Sequence, residues 1–259
     1  MEESARRRGS FMAWLMAAAA VLVILPAVTL LIHRMVTGNR TEVVQLTASA
    51  ANGQTRTVYL PDSTKVVLNS GSVLFYPSGF YGKERRVCLS GEAVFDVTAD
   101  SKRPFLVSTA DITVKVFGTL FDVQAYPEDP TVSASLCRGA VGIFRNSDPA
   151  APAMLRPGEE FRMVKEDGSF RISSVESEDV TVWERGGVCL NAGDIHDLIR
   201  ILERRFDVNI YLTTDKYDSE IITAKFIHGE SIDEILTVIS RLLPGMTYNI
   251  TNNTNIYIH

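Results

Sequence analysis

The sequence predicts a single transmembrane helix at the N-terminus, then an all-β domain, then a small α+β domain. Three observations support this fold class. An apolar run without a charged residue fills residues 11–32. Short β-type runs separated by turn residues follow from residue 43 to about residue 175. Apolar residues at clear helical spacing appear only beyond residue 188, where they alternate with further strand-like runs.

The apolar run at residues 11–32 is long enough to cross a bilayer. Its 22 residues would rise roughly 33 Å as a helix, about the thickness of the hydrocarbon core. Arg6, Arg7 and Arg8 precede it, and this basic flank predicts a cytoplasmic N-terminus with the bulk of the chain across the membrane. A cleaved signal peptide is the alternative. The length of the run, and the lack of a small-x-small site directly after it, favour a retained anchor.

Composition narrows the classes of function. The net charge is −5 with a pI near 5.5, and no basic stripe is present, so we expect no nucleic-acid partner. Cys88, Cys137 and Cys189 form no CxxC pair and lie in apolar runs, which predicts free, buried thiols. The histidines lack metal-ligand spacing. We expect no metal, no cofactor and no enzyme, since neither a Gly-x-Ser-x-Gly elbow nor a zinc motif is present.

Composition shifts divide the chain into six predicted segments. They are a cytoplasmic tail (1–10), the transmembrane helix (11–32), a linker with the first strand (33–56), an all-β domain (57–175), a charged connector (176–187) and an α+β domain (188–259). Many short strands without a helical pattern predict that the all-β domain is a sandwich, a roll or a solenoid. Within it, residues 146–153 are rich in turn formers and are expected to form a loop.

The last segment has the predicted order βαββαββ. Its first helix has apolar residues at Ile195, Leu198 and Leu202, and a capping box of Ser231 and Glu234 begins the second. Two final runs, Met246 to Ile250 and Ile256 to Ile258, are expected to form a hairpin. A module of about 70 residues buries little surface, so we expect it to depend on a neighbour for stability.

A series of motifs runs through the β region. They are Leu60-Pro61-Asp62-Ser63-Thr64, Arg85-Arg86-Val87, Gly91-Glu92-Ala93, Val116-Phe117-Gly118-Thr119 and Arg156-Pro157-Gly158-Glu159. This series resembles the FecR family of membrane-bound anti-sigma regulators, in the form common among Bacteroidetes. The last segment is similar to the short domain that follows FecR regions there. That domain is itself similar to the small N-terminal signalling domains of TonB-dependent receptors and secretins.

The resemblance implies a sensor in the inner membrane with most of its chain in the periplasm. A TonB-dependent outer-membrane receptor, loaded with ferric chelates or glycans, would present its signalling domain to the α+β module. Proteolysis by a site-2-type protease would then release a segment that controls an extracytoplasmic-function sigma factor. Residues 1–10 are too few for a stable sigma-binding helical domain, so we expect that cytoplasmic segment to be missing or truncated.

Two sites follow from the resemblance. We expect receptor docking at an exposed strand edge of the final hairpin, because edge pairing supplies backbone hydrogen bonds. The residues assigned to this docking edge are Met246, Tyr248, Ile250, Ile256 and Ile258. Some FecR-like regulators split at a Gly-Thr pair, so attack of the Thr119 hydroxyl on the Gly118 carbonyl is a second prediction. Its alternative is that Gly118 makes a bend and Thr119 is an ordinary strand residue.

An alternative function stays open at this stage. The chain could be a periplasmic protein-docking or glycan-binding module without a transcriptional role. Four aromatic side chains of the β region, Phe75, Tyr76, Phe80 and Tyr81, could stack on a sugar, although such residues more often serve core or turn packing.

Overall fold

A computed structural model describes Met16 and residues 24–31, 43–252 and 254–259. Contacts divide the chain into two units, Met1–Val43 and Val44–His259. In the first unit, Met16 and residues 24–31 are helical, and their apolar side chains are exposed. No helix within the described residues is both long and apolar enough to span a bilayer. The predicted tail 1–10 and most of the predicted span 11–32 lie outside the described residues.

The second unit begins with a β domain, residues 44–175. In its described part, thirteen strands form one continuous sheet. They are β1 (Gln45–Ser49), β2 (Arg56–Tyr59), β3 (Lys65–Leu68), β4 (Val73–Pro77), β5 (Arg85–Asp96), β6 (Phe105–Ser108), β7 (Ile112–Val116), β8 (Leu120–Ala125), β9 (Thr131–Arg138), β10 (Val141–Arg145), β11 (Asp148–Leu155), β12 (Glu159–Val164) and β13 (Phe170–Ser174).

Strand β5 folds this sheet into two layers, because its two halves belong to different layers. The first half pairs with β4 and β6, and the second half pairs with β3 and β8. The first layer has the order β1-β4-β5-β6-β7-β10-β11, and the second has the order β2-β3-β5-β8-β9-β12-β13. At the change, Gly91 has a φ of 110°, and a Cβ there would lie 2.6 Å from Ser72 Cα. Only glycine fits this bend.

The core of the β domain lies between the two layers. Phe95 stacks on Phe121 with ring centroids 5.2 Å apart, and Phe105 of the other layer lies 6.2 Å from Phe95. Along residues 85–93 of β5, buried and more exposed residues alternate, as the two-residue period of a strand requires, and Val94 is buried as well because Trp183 packs on it. The predicted β-rich domain is confirmed, and its architecture is a nearly closed sheet of two layers.

Two sequence predictions within the β domain are wrong. Residues 146–153 do not form only a loop, because most of them belong to β11, which pairs with β10. Pro149 and Pro152 are compatible with this strand since β11 lies at the edge of its layer, where a missing N–H breaks no ladder. Cys88 is exposed rather than buried, because it points outward on β5, and Cys137 and Cys189 are partly exposed. All three thiols are free, as predicted.

The chain continues through a connector into the C-terminal module, residues 188–259. The connector holds α1 (Ser177–Val180) and a 3₁₀ helix (Val182–Arg185). The module holds β14 (Val188–Gly193), α2 (Ile195–Phe206), β15 (Asn209–Leu212), β16 (Ile222–Phe226), α3 (Ile232–Leu242), β17 (Tyr248–Thr251) and β18 (Asn255–Ile258). This is the predicted βαββαββ order. Capping boxes at Asp194 and Ser231 begin α2 and α3.

A buried ion pair ties the loop before β3 to the start of β5. Arg85 and Asp62 are 1% and 8% exposed, and Arg85 Nη1 lies 2.7 Å from Asp62 Oδ2. Arg85 also donates to the carbonyls of Thr98 and Arg103. Asp62 Oδ1 accepts from the Thr64 amide and so holds its own turn. Since both charges are out of water, each depends on the other.

We predict that Asp62→Asn lowers the free energy of unfolding by about 3 kcal/mol, because Arg85 stays buried without a counter-charge. The asparagine keeps an oxygen for the turn, so the change isolates the charge. Urea denaturation of the full-length chain measures it. The matched control is Asp96→Asn, since Asp96 pairs with Arg138 while both are more than half exposed; there we expect a loss below about 1 kcal/mol. Equal losses in the two variants would contradict the account.

Candidate functional site

The C-terminal module presents its backbone at one edge of a three-stranded sheet. The order of this sheet is β15-β18-β17, so β18 is central and pairs on both sides. The predicted free edge at Ile256 and Ile258 is therefore wrong, and both side chains lie in the core. Met246 precedes β17 and is also buried. Of the predicted docking residues, the structure brings Tyr248 and Ile250 to an edge.

The hydrogen-bond register shows which groups of β17 face outward. Thr247 and His259 exchange both backbone hydrogen bonds, at 3.2 and 2.9 Å. Because such pairs alternate along antiparallel strands, Asn249 also points toward β18, whereas the N–H and C=O of Tyr248 and Ile250 point away from it. No strand of the described chain pairs with that side.

Side chains make this edge rigid and partly apolar. The Tyr248 hydroxyl contacts Asp233 Oδ1 at 2.8 Å and Thr237 Oγ1 at 2.9 Å, which fixes β17 to α3. Ile250 lies beside the buried Ile256 in register but is 39% exposed, so it forms the rim of the core. An added strand would cover this rim and complete the ladder.

The opposite edge of the sheet is less available. β15 lies parallel to β18, and Glu203 of α2 reaches over it. The Glu203 Oε1 atom accepts a hydrogen bond from the Ile210 amide at 2.8 Å. The edge of β15 is thus partly occupied by a side chain of the module itself, which distinguishes it from β17.

A charged contact joins the module to the β domain. Asp129 is 6% exposed, and Arg204 of α2 donates from its two Nη atoms to the two Oδ atoms of Asp129, at 2.8 and 3.1 Å. Arg200, one turn earlier, places its Nε 3.2 Å from the same carboxylate. The Arg204 guanidinium also stacks 3.8 Å over the ring of Tyr126. We call this contact the junction.

Backbone and ring contacts extend the junction into the β domain. The Gly53 amide donates to the Arg204 carbonyl at 2.8 Å. The Tyr126 hydroxyl donates to the Ser70 carbonyl at 2.7 Å. The last turns of α2 are therefore held on two segments of the β domain, at Gly53 and at Tyr126 with Asp129, and Tyr126 is itself fixed to Ser70. Sequence reasoning missed this contact; the signal was an arginine pair at i and i+4 on the last turns of a helix.

The sheet face beside the junction is polar although the module covers it. Glu92 lies there on β5, and the Asn69 amide donates to its Oε2 at 2.6 Å. Burial raises the pKa of Glu92 to about 7, while Asn69 and Arg204 oppose the shift. The side chain therefore takes up a proton near neutral pH rather than near pH 4.5.

Gly118 and Thr119 occupy a tight crossing at the start of β8. A Cβ on Gly118 would lie 2.7 Å from Ala99 Cα, so glycine is required by the close approach. Thr119 is 2% exposed, and its hydroxyl donates to the Ala140 carbonyl at 3.1 Å. These contacts agree with the alternative in which Gly118 makes a bend, although Thr119 lies just before β8 rather than in a strand. Self-cleavage here stays a prediction.

The four aromatic residues proposed as a sugar platform do not share one surface role. Tyr76 and Phe80 pack against the core of the β domain, and Phe80 meets Phe105 edge-on at 6.0 Å. Phe75 and Tyr81 are exposed. Core packing thus accounts for half of the set.

Comparison with known proteins finds matches for both parts of the second unit. A family model described as FecR protein matches residues 46–142, and one described as FecR, C-terminal, matches residues 188–258. No curated protein matches the chain. Two solved structures of a candidate anti-sigma factor from Parabacteroides distasonis ATCC 8503 are similar, with 30% identity and a TM-score of 0.78. Each match covers 83% of this chain and 99% or 98% of the solved chain.

We predict that Arg204→Met weakens the junction and lowers the free energy of unfolding of the full-length chain by about 3 kcal/mol, because Asp129 keeps its burial and loses its bidentate partner. Hydrogen exchange should rise in α2. The control is Arg86→Met, which breaks an exposed pair with Glu84 and should change stability by less than about 1 kcal/mol. An Arg204→Met protein as stable as this control would contradict the role of the junction.

We also predict a pH dependence from Glu92. The folded state holds this proton up to about pH 7, while the unfolded state releases it near pH 4.5. The contribution of the protonated Glu92 to the free energy of unfolding is therefore fully present below pH 4.5 and is lost as the pH rises through about 7. In denaturation series across this pH range, the free energy of unfolding should fall more steeply with pH for the wild type than for Glu92→Gln, which keeps the contact with Asn69. Parallel profiles would show that Glu92 does not titrate in this window.

Proposed function

The chain belongs to the FecR family of anti-sigma regulators, and from this premise we propose that it senses a signal in the periplasm. In this proposal the apolar run 11–32 anchors it in the inner membrane with a cytoplasmic N-terminus. Its C-terminal module binds the signalling domain of a TonB-dependent outer-membrane receptor. The output of the signal is the activity of an extracytoplasmic-function sigma factor. This activity is released when a site-2-type protease cleaves the chain.

The observation that carries the docking step is the outward backbone of β17. Tyr248 and Ile250 offer two N–H groups and two carbonyls in line, beside an apolar rim. A signalling domain with a free edge strand of its own can pair with these groups without strong demands on side-chain identity. Such a mode suits a receptor domain similar in fold to the module, since the added strand extends one sheet across both proteins.

The junction supports the second step, the relay to the β domain. Docking would act first on β17, which Tyr248 joins to α3 of the module. Near the end of α2 in the same module, Arg204 contacts Asp129 of the β domain. A change in the module therefore reaches the β domain through α2. β1 begins at Gln45, only a short stretch of chain after the predicted span, so the β domain is the part that connects the module to the anchor.

We predict that Ile250→Pro abolishes capture of the receptor signalling domain while the module stays folded. Proline removes an N–H that faces away from β18, so the internal ladder is kept while the outer one is broken. The measurement is capture of purified signalling domains from the same genome by the full-length chain in detergent.

The matched control is Ile250→Thr, which shortens the apolar side chain but keeps the N–H. The affinity of this variant for the signalling domain should fall by less than about tenfold, because a side chain at the rim contributes less than the strand pairing. Thermal unfolding checks that both variants are folded. Capture by Ile250→Pro at the wild-type level would rule out strand addition at β17, and no capture by the wild type would remove the receptor from the proposal.

A further inference from the structure

A cavity of about 140 Å³ lies between the β domain and the parts of the chain that cover it. Its floor is the outer face of the second layer, on strands β5, β8, β9 and β12. Its roof is formed by the connector, including Trp183, and by β14 and α2 of the C-terminal module. The docking proposal above makes no use of this space.

The strand register makes the floor polar. Asp122 of β8 lies opposite Ser135 of β9, and Gln124 lies opposite Ser133. The intervening residues of these strands, such as Phe121, point into the core on the other side. Sheet faces that are covered on both sides are ordinarily apolar. The polar residues of this face therefore need an explanation other than packing.

Among the described residues, three side-chain atoms at the cavity have neither a hydrogen-bond partner nor an ion-pair partner. Asp122 is 5% exposed, and its Oδ1 atom accepts no hydrogen bond. Trp183 is 8% exposed, and its Nε1–H donates to nothing. The Arg205 Nε–H, also at the cavity wall, is unpaired as well. A buried polar group without a hydrogen-bond partner destabilises the fold, so a molecule that supplies the missing partners binds favourably.

The charges around the cavity point to a neutral molecule. Arg162 pairs with Glu160 on the floor, and Arg204 pairs with Asp129 at the wall. Desolvation and the neighbouring Glu92 raise the pKa of Asp122, so this carboxyl favours its neutral form. A cation would leave the Trp183 and Arg205 donors without an acceptor. An anion would lie against Glu160 and Glu92.

Hydroxyl groups satisfy both kinds of unpaired atom. A hydroxyl donates to the Asp122 oxygen and accepts from the Trp183 indole N–H, and Ser133 and Ser135 offer further partners of both kinds. The volume is close to that of a cavity of roughly 150 Å³ that holds a benzene ring. The space therefore fits a molecule between glycerol and a single sugar ring in size.

We propose that this cavity binds a small neutral polyhydroxylated molecule, a polyol or a monosaccharide, with Asp122 and Trp183 as its central contacts. Because the floor belongs to the β domain and the roof to the connector and the module, the ligand stabilises the closed arrangement of the two. Binding thus strengthens the same attachment that the junction provides.

The test uses the full-length chain in detergent and a fixed set of probes. Glycerol, myo-inositol, glucose and galactose represent the proposed class, while putrescine and acetate represent cations and anions. Isothermal titration gives affinities, and Trp183 fluorescence in a Trp14→Phe background reports on the cavity itself. We expect saturable binding of at least one hydroxylated probe together with a change in Trp183 emission.

Three variants decide whether the site is the cavity. Asp122→Leu and Trp183→Phe should each weaken binding at least tenfold, and Asp148→Asn, at a distant exposed position, should leave it unchanged. Should Asp122→Leu fail to fold, Ser135→Ala replaces it, with a smaller expected loss of about threefold. Binding of putrescine or acetate alone would overturn the ligand class. No saturable binding, or equal binding by all variants, would overturn the site. A crystal structure at a saturating probe concentration that shows only ordered water in the cavity would overturn it as well.

Discussion

The ion pair between Asp129 and the arginines of α2 is the constraint on which the rest of the molecule depends. The β domain and the C-terminal module each have a separate hydrophobic core. A third, smaller apolar cluster joins Trp183 of the connector to Val67 and Val94 of the sheet face. The bidentate contact of Arg204, supported by Arg200, therefore sets the position of the module. That position covers part of the polar sheet face and, with the connector, forms the roof of the cavity.

The same arrangement explains why a small module is stable in this chain. A module of about 70 residues is only marginally stable by itself, and the junction attaches it to a much larger core. Within the described residues, no strand pairs with the outer side of β17. The docking proposed at β17 and the attachment to the β domain through α2 would use different elements, so that both contacts could exist at once.

Sequence reasoning was most successful where local rules decide structure. The βαββαββ order followed from helical spacing and from the capping box at Ser231, and the β domain followed from short strands with turn residues. It failed where tertiary pairing decides: residues 148–155 became an edge strand despite two prolines, and Ile258 entered the centre of a sheet because β15 pairs with β18 in parallel. The Asp129–Arg204 contact joins residues 75 positions apart; the spacing of Arg200 and Arg204 marks one side of the contact, but no pattern in a single sequence identifies Asp129 as the other.

The central claim is that docking at β17 changes the structure or the dynamics of the junction. Hydrogen exchange of the full-length chain, measured with and without a captured receptor signalling domain, tests it most directly. The account predicts slower exchange in residues 248–251 and altered exchange in residues 200–206 and 126–130 upon binding. Slower exchange at β17 with no change at the junction, or protection confined to other surfaces, would contradict it.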